Sequence, residues 1–205
     1  MHAARTLGGL CGHWSYRVLR HFTLLICLLA GVLYAGAARA EVVSDVRYKT
    51  YTVRGQTVQE IWRNIGRKGP HQRHRGLYAQ ALSEIRYGWS VTYQRRSGSC
   101  RVDAAKINVS VLITLPKWAG EKRGSPRLRK AWQRYLAKVH RHEEKHKTIA
   151  LETAKVIDRE FKRAPQYRTC DALKSYLEKT ADRILARERR RQDRFDKTDP
   201  PIILR

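Results

Sequence analysis

Residues 81–94 (ALSEIRYGWSVTYQ) and 100–115 (CRVDAAKINVSVLITL) stand on either side of Arg95-Arg96-Ser97-Gly98-Ser99, and their periodicity decides the fold. In the first run Ile85, Tyr87, Trp89, Val91 and Tyr93 fall at every second position, and in the second Ile107, Val109, Val111 and Ile113 do the same. Side chains on a strand point alternately to its two faces, so a period of two marks a strand with one face buried. Ser97-Gly98-Ser99 has turn chemistry, and the whole segment predicts a long antiparallel β-hairpin. Pro116, which has no amide hydrogen to offer a neighbour, is expected to end it.

Toward the N-terminus, Val46 to Val53 (VRYKTYTV) alternates in the same way and stops at Arg54-Gly55, a further strand. Thr57-Val58-Gln59-Glu60 has capping-box spacing, and Ile61, Trp62 and Ile65 supply an apolar side, which predicts a helix. Gly66 to Gly76 reads as a basic loop with Pro70.

Toward the C-terminus the period changes. Ser125-Pro126 pairs a capping hydroxyl with a proline suited to the first helical position. From there to about Phe161 there is no Gly or Pro, and Leu128, Trp132, Tyr135, Leu136, Val139, Ile149 and Val156 recur at helical spacing, so one long helix is expected. A second begins near Asp171, with Leu173, Leu177, Ile184 and Leu185 on one side and a charged, solvated end over Arg187 to Arg194. The class is α+β: a short antiparallel sheet with a long β-hairpin, packed against two helices. Residues 41–205 are read as one domain, with 190–205 a charged, flexible tail.

The first forty residues are read as an export signal. Arg17, Arg20 and His21 precede the uncharged apolar run Phe22 to Ala37, and Ala38-Arg39-Ala40 offers small residues where a signal peptidase cuts, before Glu41. Retention as a membrane anchor is the competing reading, because the run is only slightly shorter than the ~17–25 residues that span a bilayer. With cleavage, no membrane span remains.

The formal net charge of +25 falls by four, to +21, when the Arg residues of that segment are removed. A charge of this size attracts polyanions, an anionic envelope polymer among them, without naming one. No nucleic-acid fold motif is present, and specific nucleic-acid binding is not expected. Cys11 and Cys27 leave with the signal, and the remaining pair, Cys100 and Cys170, suits a disulfide in an oxidising compartment, secreted or periplasmic. Such a bridge closes a loop of about 70 residues, for roughly 4 kcal/mol on the chain-entropy model.

The chemistry lies in His142-Glu143-Glu144-Lys145-His146, inside the long predicted helix. Residues four apart sit about one turn apart on one face, so His142 and His146 can share one zinc ion, the cofactor this pattern implies. Glu143, offset by about 100°, is then the general base that takes a proton from a zinc-activated water. The competing reading is a charged, solvent-facing helix segment making surface pairs.

Two histidines need a third protein ligand. Glu160 shares the His142 face but lies about 27 Å up the axis. Glu152 occupies the third-ligand position of the longer HExxHxxGxxH pattern, yet Ile149 replaces the Gly that turns that chain back, so it points away unless the helix breaks. Asp171, Glu178, Asp193, Asp196 and Asp199 remain as candidates from another element.

The order of features also resembles a bacterial family of predicted secreted zinc-dependent proteases, catalogued as a domain of unknown function. The resemblance rests on Tyr51-Thr52-Val53-Arg54-Gly55, Gly69-Pro70, Trp89-Ser90-Val91-Thr92-Tyr93, Cys100, Leu115-Pro116-Lys117-Trp118, Trp132, the His-Glu-Glu-Lys-His segment and Cys170. It implies that His142, Glu143 and His146 are the metal and catalytic positions and that both cysteines belong to the fold. The family tends to carry Tyr-Asp, then Thr, then His-Gly near its C-terminus. Here Phe195-Asp196-Lys197-Thr198-Asp199-Pro200 lacks the His-Gly, and Asp199 or Asp196 is the substitute it suggests. The expected function is a secreted or periplasmic zinc-dependent metallopeptidase acting on a peptide or protein. The alternative is a non-catalytic basic envelope protein that binds anionic polymers.

Overall fold

The middle strand organises the molecule. In the computed structural model, which describes residues 39–72 and 77–205, β1 is Arg39–Val53, α1 Val58–Lys68, β2 His71–Gln72, β3 Leu77–Tyr78, β4 Leu82–Arg96 and β5 Ser99–Trp118. A short 3-10 turn, Glu121–Arg123, leads to α2, Pro126–Lys162, and α3 is Cys170–Thr198. The sheet order is β1-β5-β4, and Ile107, Val109, Val111 and Ile113 on β5 are at most 1 % exposed. Burying one such side chain stabilises by about 1.5–3 kcal/mol, which makes this row of four a main anchor of the core.

β4 and β5 form the expected hairpin, closed by a two-residue turn that places Arg96 opposite Ser99. Gly98 has φ 68° there, the left-handed conformation such turns require and glycine adopts without a Cβ penalty. β1, however, runs parallel to β5, from Arg39 beside Ala104 to Val53 beside Trp118. The sheet is therefore mixed, since alternation specifies a strand but not its direction.

Pro116 does not end β5, which continues through it to Trp118. β4 has already stopped with Leu82 opposite Thr114, so no β4 carbonyl requires an amide from Pro116, and proline is tolerated where one side of a strand is bare.

Each helix starts at the hydroxyl the sequence offers. Ser125 Oγ accepts from Leu128 N at 3.3 Å, and Thr169 Oγ1 from Ala172 N at 3.2 Å. Thr57 Oγ1 accepts from Glu60 N at 3.2 Å, while the Glu60 carboxylate accepts from Gln56 N, one residue before the cap. Glycine or alanine in place of such a cap costs up to about 2 kcal/mol.

Cys100 and Cys170 form a disulfide that joins the start of β5 to the first residue of α3 across 70 residues. Cys100 also exchanges two backbone hydrogen bonds with Tyr167, at 2.7 and 2.9 Å. α3 is thus fixed at its N-terminus and lies along α2. It extends to Thr198, past the charged run, and Leu204 beyond it is buried. Of the stretch read as a basic loop, Gly66 to Gly76, the first three residues still belong to α1 and His71–Gln72 form β2, which pairs with β3 just beyond it, with 73–76 outside the described residues. All of the export-signal segment except Arg39 and Ala40 also lies outside them. Among the described residues no helix is long and apolar enough to cross a membrane.

Candidate metal centre

α2 is unbroken from Pro126 to Lys162, so His142 and His146 project from successive turns toward the C-terminal end of α3. The two Nε2 atoms are 3.1 Å apart. Asp196 Oδ1, from α3, lies 2.9 Å from His146 Nε2 and 3.4 Å from His142 Nε2. A tetrahedral centre with bonds of about 2.0–2.1 Å holds its ligand atoms roughly 3.3 Å apart. The triangle has that size, so His142, His146 and Asp196 form a group that could hold a metal ion.

The opposite ring nitrogens are equally constrained. Asp199 Oδ2 accepts from His142 Nδ1 at 2.7 Å, and Gln192 Oε1 lies 2.7 Å from His146 Nδ1. The Gln192 amide is oriented by its nitrogen, which donates to His146 O at 3.2 Å and to Glu188 Oε1 at 2.7 Å. Its oxygen must therefore face the imidazole as an acceptor. With Nδ1–H donated on both rings, both Nε2 lone pairs point into the triangle, the arrangement that orients metal-binding histidines. Phe195 packs against both rings, at centroid distances of 4.8 and 5.1 Å.

Without an ion, the two imidazoles bind protons in its place, and Asp196 stays ionised as their counter-charge. The Asp196 hydrogen bond raises the His142 pKa to about 9, against an opposing push from burial, with Asp199 adding to the rise. Burial pushes His146 down, but hydrogen bonds with Asp196 and Gln192 leave it raised. Burial also pushes Asp196 up, and the two imidazoles outweigh it, holding the carboxyl well below the usual range.

Glu143 is only 5 % exposed. Burial raises its pKa, opposed by a hydrogen bond from Ser83 and by both imidazoles. Ser83 Oγ donates to Glu143 Oε2 at 2.7 Å. It occupies β4 opposite Ile113, on the same face as Ile85, Tyr87 and Trp89, one step before their alternation begins.

These groups line a cleft of about 400 Å³ whose other wall is Ala79 to Ser83. That wall is tied down at several points. Tyr51 Oη donates to Gln80 O at 2.7 Å, Tyr135 Oη to Gln80 Oε1 at 3.0 Å, and Ala79 N to Pro70 O at 2.8 Å. A Cβ at Gly69 would lie 2.0 Å from Ala79 O, so the Gly69-Pro70 pair sets the position of the wall by close backbone approach.

Of the carboxylates named as third-ligand candidates, Asp196 meets both Nε2 atoms and Asp199 lies behind His142. The others stay outside. Glu152 pairs with Arg191 at 2.6 Å, and Asp193 is exposed. Glu178 faces Lys174 and precedes Asp196 by about 27 Å of helix, with Asp171 farther still. Glu160 lies beside Arg159.

Sequence reasoning passed over Ser83, Glu188 and Gln192, and gave Phe195 no role of its own. The signal for Ser83 is a hydroxyl in phase with the apolar positions of its strand. For α3 it is that Leu177, Ala181 and Ile184, all buried, continue at helical spacing into Glu188 and Gln192, inside a run read as solvated, and on to Phe195 just past it.

Neither a curated protein nor a solved structure matches the chain. Residues 48–199, most of its length, match the model of a family described as bacterial protein of unknown function (DUF922), and the chain belongs to that family.

Proposed function

We propose that this protein is a zinc-dependent metallopeptidase. The observation that carries the reading is the convergence of His142, His146 and Asp196 on one point beside the buried carboxyl of Glu143. Two nitrogens and one carboxylate oxygen suit zinc, and three protein ligands leave the fourth tetrahedral position free for water or substrate, as in hydrolytic rather than purely structural sites. When bound, zinc polarises the scissile carbonyl and makes water a nucleophile near neutral pH.

Glu143 accepts the proton as the water oxygen attacks the carbonyl carbon, and delivers it to the leaving nitrogen as the C–N bond breaks. A carboxyl raised by burial is suited to both transfers. Asp199 and Gln192 hold the imidazoles in the tautomer that binds metal, and Ser83 keeps Glu143 turned toward the cleft. β4 is an edge strand lining that cleft with Leu82 and Ser83, and an extended peptide can add to such an edge by backbone hydrogen bonds. The Cys100–Cys170 disulfide supports a secreted or periplasmic location.

The test is Glu143→Gln in the mature protein. It should retain one equivalent of zinc and lose hydrolysis of a denatured protein substrate by at least 10²-fold, the lower end for a positioned acid–base group. Turnover equal to wild type, or no zinc-dependent hydrolysis by wild type, would refute the reading. In the latter case salt-dependent retention on a polyanion would favour the envelope-binding alternative.

A further inference from the structure

A second pocket of about 430 Å³ adjoins the metal cleft, lined by Lys138, Arg141, Lys145 and Phe195, with His142 and the strap 199–202 common to both. The three cations are at i, i+3 and i+7 on α2, within about 60° of one another around the helix and over about 10 Å of its length. All three are exposed, and among the described residues none has an ion-pair or side-chain hydrogen-bond partner. Elsewhere on the helices cations do find acids: Lys162 pairs with Asp158 and Arg191 with Glu152.

With 43 Lys and Arg against 18 Asp and Glu, unpaired cations are expected somewhere. What distinguishes these three is that they share a concave lining continuous with the metal ligands. Among the described residues the one carboxylate in that lining, Asp199, is engaged by His142 Nδ1. Pro200 and Pro201 also line the pocket, and neither has an amide hydrogen to bring to it. A concave site with one sign of charge and apolar walls focuses its field on an incoming anion.

We infer that this pocket is a specificity subsite for acidic side chains of the peptide, on one side of the bond that is cut. Arg141 and Lys145 are about 6 Å apart along α2, and alternate residues of an extended chain are about 6.7 Å apart on one face. Asp or Glu at two alternate positions therefore matches the pair, with Lys138 extending the row. Arg141 can take a carboxylate with two parallel hydrogen bonds, and the lysines act as point charges.

This inference rests on the hydrolytic reading of the neighbouring cleft, and a binding experiment separates the two. Fluorescence anisotropy on zinc-loaded protein would compare a labelled heptapeptide carrying Glu at two alternate positions with its Gln counterpart, for Glu143→Gln alone and combined with Lys138→Gln, Arg141→Gln and Lys145→Gln. The exposed sites and the retained stems favour an intact fold, which far-UV circular dichroism and zinc content check. The Glu peptide should bind at least tenfold tighter than the Gln peptide, the preference should shrink to within twofold in the combined variant, and Gln-peptide affinity should hold. That result supports the subsite even if the wild type proves unable to hydrolyse peptides. Equal binding of the two peptides, or a preference that survives the three substitutions, would overturn it.

Discussion

Gln192 and His146 are joined from both directions: the Gln192 carbonyl accepts from the imidazole Nδ1 at 2.7 Å, and its amide nitrogen donates to the His146 backbone carbonyl at 3.2 Å. Glu188, buried one turn earlier on α3, holds that nitrogen at 2.7 Å. α3 thus fixes the ring of a residue on α2 without touching its metal-facing atom.

Replacing Gln192 by Leu keeps the size of the side chain and removes both contacts. Zinc affinity should fall by about 10–100-fold, the usual cost of losing a residue that orients a ligand. Competition with a chromogenic chelator measures this, and circular dichroism checks the helices. Unchanged affinity would show that the His146 ring is held by packing against Phe195 alone.

The metal-free protein should lose stability as pH rises from about 6.5 to 9. His142 has a folded pKa of about 9 against an ordinary value of 6.5. Its contribution is therefore complete below 6.5 and lost as pH rises through 9, at about 1.4 kcal/mol for each pH unit between those two values. Glu143, raised by burial, changes stability in the same direction, starting from the ordinary carboxyl range. Asp196 is depressed, so its contribution is present above the ordinary carboxyl range and lost only in acid. Bound zinc requires neutral imidazoles and becomes tighter with pH. Thermal melts of chelator-treated and zinc-loaded protein between pH 6 and 9 should diverge, and a metal-free melting temperature that rises over this window would contradict the assignment.

Ser83→Ala should leave zinc content unchanged and move the acid limb of hydrolysis to higher pH. The Ser83 hydrogen bond lowers a Glu143 pKa that burial raises, and its removal leaves burial less opposed. A pH–rate profile in which the acid limb stays in place would remove Ser83 from the site.

The Cys100→Ser and Cys170→Ser double variant should be less stable by about 2–5 kcal/mol, as is typical when a native bridge is lost from a small domain. Denaturant unfolding reads the change. Because the bridge pins the far end of α3 from Asp196, zinc affinity in the folded variant should change less than with Gln192→Leu.

Much of the fold was legible because single-residue chemistry fixed it. The alternation through Ile85 to Tyr93 and Ile107 to Ile113 gave two strands, Ser97-Gly98 gave the turn, and Ser125-Pro126 gave the start of the long helix. The direction of β1 was not legible, since Val46 to Val53 alternates identically whether its partner runs with it or against it. Pro116 misled because its consequence depends on which neighbour has already ended.

The candidate site was half legible for a similar reason. His142, Glu143 and His146 are local on one helix and follow from spacing. Asp196 and Asp199 depend on α3 passing α2 at one height, which no local pattern states, so by spacing alone they stood equal with Asp171 and Glu178, and only the family resemblance singled them out. Glu188 and Gln192 were hidden in a charged run, where a polar residue facing inward looks the same as one facing water.

The most direct test of the central claim is the zinc content, by mass spectrometry, of chelator-stripped and reloaded wild type beside Asp196→Ala and Asp193→Ala. The geometry predicts one zinc per chain in wild type and in Asp193→Ala, with affinity reduced by at least 10–100-fold in Asp196→Ala, since a direct ligand should matter no less than a residue that only orients one. Wild type without zinc, or zinc held equally tightly after Asp196→Ala, would contradict the metal centre.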